Sequence, residues 1–535
     1  MAVASRARAA ALDSLGVVLA LVLALAVFWV TERRIAGAVG LSSYPLDDSW
    51  IHLHFARNLA EGSGFAYNPG VPVSGSTAPL WTLLLAGAFA LFGSTPVWAK
   101  GLGIAAALGT ALLTRRLVWL WTESRLLALV GGILAAVSGP LVWGALSGME
   151  VSLAALLVTA ALVAHTTGRA GTTAFLLGLG ALARPEAVLL VPLVWLAEPI
   201  TLRRTAMFAG VVGALLAPWV LFNLATAGTP LPATASAKIE GGLVGFLSGA
   251  REPLAATLVR RPWQFERDWV RWLASADVLL PALVLVGLWA LWRVRGRAAA
   301  LPAAVLVLHP IGMALLAPYR GPGFQEGRYS IHLLPLAIAV ALAGVHTLSL
   351  LGRGQGEGAK GEGTWRRASR RVLAGALLAA ALWSLPAAAT RYAWAVQNID
   401  AMHVHLGRWV AANTPRGARL ALNDVGAIAY VSRREVVDLM GLVTPAIIPH
   451  RRRGEEGVLG YLERACPDYL IIFPAWFPAL SAMTDRFTPI YRISLAHNTV
   501  AGADEMVVYE TPWNRWRGAG VRCAERARNA VGLGR

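Results

Sequence analysis

Long apolar runs of about 17–25 residues recur along most of this sequence, and they constrain its fold more than any other feature. The 535 residues are 56% hydrophobic and 15% charged, whereas a soluble domain carries about 25% charged residues. As a helix, a run of this length crosses the hydrocarbon core of a bilayer. The sequence therefore predicts a polytopic α-helical membrane protein.

The apolar runs predict about eleven membrane spans, with short connectors between them. The run at 79–93 is short and contains Gly, so we expect it to be an interfacial helix within the first outer loop, 32–95. Counting 79–93 as a span would place the Arg-rich connectors outside, against the positive-inside bias. A cleaved signal peptide is the alternative for the first run. The predicted spans are 14–31, 96–114, 126–146, 151–167, 172–184, 187–200, 205–222, 276–292, 299–317, 330–350 and 372–389.

Residues 391–535 differ from the rest in composition, because short strand-like apolar runs alternate with turns and polar helical stretches. This pattern predicts a small extracytoplasmic α/β domain after a transmembrane domain formed by residues 1–390. Cys466 and Cys523 lie in this region. They could pair in an oxidising compartment, but two unpaired thiols are equally consistent with the sequence.

The formal net charge of +18 does not indicate nucleic-acid binding. Arg residues concentrate in short connectors, and no basic patch is interleaved with aromatic residues as nucleic-acid surfaces require. The sequence also lacks the motifs of zinc peptidases and P-loop ATPases. We therefore expect membrane lipids, and no nucleic acid, among its partners.

Asp47 and Asp48 stand side by side in the first outer loop. Adjacent carboxylates repel each other unless a cation, a metal or sugar hydroxyls stabilise them. A solvated pair or a helix cap is the alternative, but we favour catalysis, with Asp47 as general base and Asp48 as its partner. If the segment is helical, His52 lies one turn past Asp48, and the two could bind a divalent cation such as Mg, Mn or Ca.

Other charged and polar residues occur at the predicted outer ends of the spans. Ionisable groups at membrane depth cost about 2.5–3.5 kcal/mol each, so we expect them to line a polar cavity rather than face lipid. Glu150 is a candidate second catalytic acid, with helix capping as the alternative. The candidates for binding the donor phosphate or the substrate are His52, Arg57, Arg184, Glu186, Lys238, Arg328 and Tyr329.

Carboxylates beside Arg and Lys at a lipid–water boundary suit a donor whose sugar is linked to a lipid phosphate. The cations would bind the phosphate. A carboxylate would take the proton from an acceptor hydroxyl as it attacks the anomeric carbon. This mechanism is a single displacement with inversion. It requires the outer loops that carry the candidate residues to converge on one site.

Several motifs resemble those of the membrane glycosyltransferases of the C-type fold. The similarity is strongest to the branch that contains the mycobacterial terminal β-(1→2)-arabinofuranosyltransferase. In the C-terminal region, Asn423–Ile428 and Val437–Leu442 also resemble that branch. The earlier motifs are Asp47–Ile51, Ala56–Leu59, Glu61–Gly64, Asn68–Gly70, Ser76–Trp81, Ser147–Glu150, Ala183–Glu186, Pro230–Lys238 and Gly327–Tyr329.

The resemblance implies a polyprenyl-phosphate donor of a hexose or pentose, with one Asp of the pair as base. It also implies a bacterial inner-membrane enzyme with an extracytoplasmic site and a glycan, lipid or protein acceptor. The segment Val73–Thr77 lacks the acidic and aromatic residues expected there, so arabinose does not follow from it. The alternatives are a flippase for lipid-linked sugars and a non-catalytic protein of cell-envelope assembly.

Overall fold

The computed structural model describes residues 2–37, 42–239, 241–247, 252–296, 300–351 and 359–517. Cys523 lies outside these residues. The chain forms two compact units. The first contains Met1–Arg34, Ala99–Pro218 and Ile239–Thr390, and the second contains Ile35–Trp98, Trp219–Lys238 and Arg391–Arg535.

The regular secondary structure of the first unit consists of helices in its described residues. Ser and Pro residues begin several of the helices: the Ser124 hydroxyl, for example, accepts a hydrogen bond from the Leu127 amide, which satisfies one N–H that the first helical turn leaves unbonded. The α-helices that lie in this unit wholly or in large part are Ala2–Ile35, Val97–Thr122, Arg125–Val137, Gly139–Leu146, Val151–Thr166, Ala170–Ala183, Leu190–Leu196, Leu202–Ala227, Gly242–Leu247, Arg261–Ala276, Leu280–Arg295, Ala300–Leu316, Phe324–Gly327, Leu334–Leu351 and Ala359–Ile399.

Within the described residues, five helices are long and apolar enough to cross a membrane, and the number rises to seven if each of two bent helix pairs counts as one span. The first bent pair, Arg125–Val137 with Gly139–Leu146, turns by 51°. Four of the predicted spans coincide with apolar helices of fewer than 18 residues. The predicted multi-pass helical architecture is therefore confirmed, whereas the count of eleven stays a prediction. Pro79–Phe92 forms a 14-residue apolar helix where we expected an interfacial helix.

The second unit contains a five-stranded sheet, so the predicted small α/β region is confirmed. Its strands are β1 (Arg419–Leu422), β2 (Glu435–Asp438), β3 (Tyr469–Ile472), β4 (Thr488–Ser494) and β5 (Glu505–Glu510). The order is β2-β1-β3-β5-β4, with β2, β1 and β3 parallel and with β5 antiparallel to both β3 and β4. The parallel connections carry the helices Ala427–Ser432 and Gly454–Ala465.

Residues of the predicted first outer loop, called the first loop from here on, pack against one face of this sheet. Because side chains alternate along a strand, Leu420 and Leu422 of β1 lie in one apolar cluster and Ala421 in another. Ile51 and Phe55, from the helix Asp47–Ala60, belong to the cluster of Leu420 and Leu422. Val458 and Leu462 cover the other face. The loop is thus a structural layer of the second unit.

The loop also covers the outer edge of β2. The side-chain amide of Asn68 donates a hydrogen bond to the Val436 carbonyl at 2.7 Å, and its oxygen accepts one from the Val436 amide at 2.9 Å. This pairing satisfies polar groups that an edge strand leaves open.

Asp438 organises the turn after β2. It is fully buried, and its carboxylate accepts hydrogen bonds from the amides of Met440 and Val443, each at 2.8 Å. Burial raises the pKa of Asp438 to about 6, although these amide bonds oppose the rise. Asp438 thus stabilises the turn after β2.

The raised pKa of Asp438 predicts a pH-dependent stability. Because the pKa of Asp438 is higher in the folded than in the unfolded protein, protonation of Asp438 stabilises the folded state. This contribution to the free energy of unfolding is complete below about pH 4 and is lost as pH rises through about 6. At about 1.4 kcal/mol per pKa unit, it amounts to about 3 kcal/mol. We expect the melting temperature of the wild type in detergent to fall more between pH 4 and 7 than that of Asp438→Asn. Parallel curves would contradict the assignment.

Candidate active site

Asp47 and Asp48 form the first turn of the helix Asp47–Ala60. Acidic side chains are favoured there because the N-terminal turn presents unbonded N–H groups and the positive end of the helix dipole. Both side chains are only partly exposed. The predicted pair is therefore held in a folded element of the second unit.

The Asp47 carboxylate is bound by the C-terminal region. One oxygen accepts a hydrogen bond from the Gly426 amide and the other from the Ala427 amide, each at 2.7 Å. Removal from water raises the pKa of Asp47 to about 6. The positive charge of His403 and the two amide bonds oppose this rise, and the charge of Asp424 adds to it.

The charges of His403 and Asp424 both act on the Asp47 carboxylate. The His403 Nε2 lies 2.8 Å from an Asp424 carboxylate oxygen, and the His403 side chain is fully buried. Burial alone would lower the pKa of His403, but the hydrogen bond to Asp424 and the charges of Asp47 and Asp424 raise it. His403 was not identified from the sequence, because it is one of ten histidines and lies in no recognisable motif.

Asp48 meets a different partner, Lys238. The Lys238 ammonium donates a hydrogen bond to an Asp48 oxygen at 3.4 Å, and the two side chains are 23% and 29% exposed. Lys238 ends the short helix Ala233–Lys238. The first loop fixes the start of that helix, since the Ser74 hydroxyl and carbonyl both accept hydrogen bonds from the Ala233 amide. The predicted approach of Lys238 to the acidic pair is present in the structure.

The roles of the two carboxylates differ in this geometry. Both oxygens of Asp47 are engaged by backbone amides of the C-terminal region, whereas Asp48 faces a cation at a partly open position. The two carboxylates thus have different partners, and which of them is the base, Asp47 by the preference drawn from the sequence, stays a prediction.

His52 lies one helical turn past Asp48, on the same helix, as expected. It is buried, and its Nδ1 lies 3.1 Å from the Ser76 hydroxyl, which in turn lies 2.9 Å from the Thr82 hydroxyl. Among the described residues, no three His, Cys, Asp or Glu side chains come together as a metal-ligand set. His52 contacts Ser76 and Asp48 contacts Lys238, and the metal stays a prediction.

Arg57 joins the first loop to the C-terminal region. Its guanidinium donates a hydrogen bond to the Tyr430 carbonyl at 2.7 Å and stacks 4.3 Å from the centre of the Tyr430 ring. His54 accepts a hydrogen bond from Arg57 at 3.3 Å and donates one to the Tyr67 carbonyl. Burial and the charge of Arg57 lower the pKa of His54 to about 3, so His54 is neutral. These contacts give Arg57 a structural role.

Five other predicted residues come together in the first unit. Arg184 contacts Glu150 at 2.6 Å and Glu186 at 3.2 Å, and the Arg184 and Glu150 side chains are almost completely buried. Arg328 donates a hydrogen bond to the Tyr329 hydroxyl at 2.8 Å, and both guanidiniums lie 4.9 Å from the Tyr329 ring centre. The structure thus brings Glu150, Arg184, Glu186, Arg328 and Tyr329 into one cluster. That this cluster and the acidic pair share one substrate stays a prediction.

Two buried histidines next to this cluster were not predicted. The Nε2 of His309 lies 3.1 Å from the Glu186 carbonyl and 3.2 Å from the Nε2 of His332. His309 thus contacts the backbone of Glu186, whose side chain binds Arg184. The occurrence of His within an apolar run was the available signal, but it does not indicate which residue the His contacts.

Removing Arg184 tests whether the cluster is an ion-pair core. Loss of one partner of a buried ion pair costs about 3–5 kcal/mol, because the remaining charge loses its compensation. We expect Arg184→Met to lower the melting temperature in detergent strongly, and Glu150→Gln/Arg184→Met to recover part of the loss. An unchanged melting temperature in Arg184→Met would contradict this assignment.

Comparisons with known proteins bear on the fold. Residues 391–520 match a family described as a domain of unknown function, DUF8728. No curated protein matches the sequence. Among solved structures, ArnT from Cupriavidus metallidurans, bound to undecaprenyl phosphate, is 14% identical with a TM-score of 0.56, and the match covers 92% of this chain and 97% of ArnT. Its apo structure matches equally well.

The archaeal oligosaccharyltransferase AglB from Archaeoglobus fulgidus, in complex with an inhibitory peptide and a dolichol-phosphate, is 13% identical with a TM-score of 0.51. That match covers 93% of this chain and 74% of AglB. At such low identity the similarity concerns the fold. The chain therefore has the C-type fold of membrane glycosyltransferases, as the sequence motifs predicted.

Proposed function

We propose that this protein is an integral membrane glycosyltransferase that moves a sugar from a polyprenyl phosphate to an extracytoplasmic acceptor. The observation that carries the proposal is the ordered acidic pair of the first loop, with Lys238 beside Asp48, on a C-type fold. Two proteins of similar fold were solved with undecaprenyl phosphate and with a dolichol-phosphate. These ligands support a donor of the same chemical class.

Asp48 acts as the general base in this proposal. Its carboxylate takes the proton of an acceptor hydroxyl while the hydroxyl oxygen attacks the anomeric carbon of the sugar. The new glycosidic bond forms as the bond from the anomeric carbon to the phosphate oxygen breaks. The configuration inverts, and the polyprenyl phosphate leaves with the bonding electrons.

Lys238 supplies the positive charge for the leaving phosphate. An ammonium on a flexible stem can move from a carboxylate to a nearby phosphate because it carries three rotatable donors. Charge that develops on the leaving group is then stabilised as the bond breaks. The sequence prediction that Arg184 and Arg328 also meet the donor is retained as part of the proposal.

The proposed orientation places this chemistry on the extracytoplasmic side of a bacterial inner membrane. It rests on the Arg-rich connectors, which positive-inside bias assigns to the cytoplasm. The proposal includes hexoses and pentoses as donor sugars and glycans, lipids or proteins as acceptors.

Donor turnover tests the proposed function. Purified protein is incubated with a panel of undecaprenyl-phosphate pentoses and hexoses and with an envelope extract as acceptor, and release of undecaprenyl phosphate is followed by mass spectrometry. General-base catalysis contributes about 10²–10⁴-fold, so we expect Asp48→Asn to lower turnover by at least about a hundredfold. Asp485→Asn, an exposed acid in the C-terminal region, is the matched control and should retain turnover.

A flippase for lipid-linked sugars is the second candidate, since bent helix pairs such as the two present here also occur in transporters. It would move the intact donor across proteoliposomes without cleaving it. Translocation without release of undecaprenyl phosphate, or unchanged release in Asp48→Asn, would refute the proposed transfer.

Lys238 provides a separate test. We expect Lys238→Met to lower kcat by about tenfold or more, because the leaving phosphate loses charge stabilisation. Lys238→Arg keeps a cation and should retain more activity than Lys238→Met. Equal rates in these two variants would show that the charge at this position does not assist departure.

A further inference from the structure

The C-terminal domain makes its most specific contact with the first loop at one turn. This turn, Asn423–Ala427, follows β1 and leads into the helix Ala427–Ser432. The Gly426 and Ala427 amides at the start of that helix have no carbonyl partner within it. Each donates instead to one oxygen of Asp47, so the turn and the carboxylate satisfy each other.

Gly426 fits this contact because of space. A Cβ atom at Gly426 would lie 2.0 Å from the Asp47 carbonyl oxygen and 2.8 Å from its carboxyl carbon. The φ of Gly426 is −70°, which any residue can adopt. Close approach to Asp47, rather than backbone torsion, therefore requires glycine here.

The contact occupies a particular place in the sheet. The chain passes from β1 to β2 on one side of β1 and then crosses to β3 on the other side, so the parallel strands have a topological switch point at β1. Open α/β sheets commonly bind ligands at the carboxyl ends of the strands beside such a switch point. Here the turn after β1 holds a carboxylate from the same chain. Asn423 closes the turn from the β3 side, since its side-chain oxygen accepts a hydrogen bond from the Phe473 amide at 3.1 Å.

Two further contacts hold the helix Asp47–Ala60 of the first loop against the C-terminal domain. Arg57 binds the Tyr430 carbonyl and stacks on its ring, and Ile51 and Phe55 are buried in the sheet core. The helix that starts with Asp47 is thus fixed at its first turn, along one face and near its end. Asp48 follows Asp47 directly, so fixing Asp47 also fixes the direction in which Asp48 leaves the helix.

We infer that the C-terminal domain is a clamp for the first loop, in which Gly426 and Ala427 hold the Asp47 carboxylate and thereby orient Asp48. Gly426 and Ala427 are positioning residues, and the domain of unknown function matched over 391–520 acquires this role. The catalytic consequence rests on the proposed function, whereas the clamp itself does not.

Hydrogen–deuterium exchange of the full-length protein in detergent tests the clamp without reference to activity. Each amide loses a hydrogen bond to a charged group in Asp47→Ala, so exchange of the Gly426 and Ala427 amides should speed by about tenfold or more. Asp47→Asn keeps one acceptor oxygen and should speed exchange less. Asp48→Asn is the matched control and should leave these amides protected.

Unchanged exchange at Gly426 and Ala427 in Asp47→Ala would overturn the clamp. If Asp47→Ala does not fold, the comparison between Asp47→Asn and Asp48→Asn decides in the same way. If the exchange experiment supports the clamp but the protein releases no undecaprenyl phosphate, the proposed function is refuted and the clamp is retained.

Kinetics test the positioning role, with the donor that supports release in the turnover assay. Gly426→Ala displaces Asp47, and a misplacement of about 1 Å can cost about a hundredfold in rate. We expect kcat to fall by about that factor while the donor KM stays within about twofold. Gly460→Ala is the matched control, because a Cβ there meets nothing within 4 Å, and it should leave kcat unchanged. Wild-type kcat in Gly426→Ala would overturn the positioning role.

Discussion

The burial of charged side chains between the first loop and the C-terminal sheet is the constraint on which the second unit depends. Arg57 and His403 are buried and Asp47 is only partly exposed, and such burial is costly unless each charge is compensated. Backbone groups of the C-terminal region provide much of that compensation: amides for Asp47 and the Tyr430 carbonyl for Arg57. Without the other segment, each would contain polar groups that lack hydrogen-bond partners, so the second unit requires both segments.

This compensation separates two carboxylates that are adjacent in sequence. Asp47 is used to join the loop to the sheet, and Asp48 keeps a partly exposed position beside Lys238. Two neighbouring acids therefore acquire different environments, which in the proposed function lets one serve as an anchor and the other as the reactive group. In the first unit, Arg184 is likewise held by Glu150 and Glu186, so its charge is already balanced.

Much of the fold could be predicted from the sequence. Apolar runs and connector charges indicated the membrane helices, and the motifs of the first loop indicated the C-type fold. The strand-like runs after residue 391 indicated the sheet domain. Helix length was less predictable: the predicted span 372–389 lies within the longer helix Ala359–Ile399, and the predicted span 126–146 is a bent pair, because composition does not determine where a helix bends or ends.

The candidate site was predictable as a set of residues and not as a set of contacts. The sequence by itself determined that acids and cations lie beside apolar runs. Each apolar run is a local feature, and the free-energy cost of placing an ionisable side chain at membrane depth can be judged from that residue and its neighbours. Tertiary structure decided which groups meet. Asp47 and Ala427 are 380 residues apart, and Gly426 and His403 carry no local sign of a carboxylate partner. Hydrogen bonds between distant segments depend on how the chain folds back on itself, which neither hydrophobic periodicity nor residue spacing encodes.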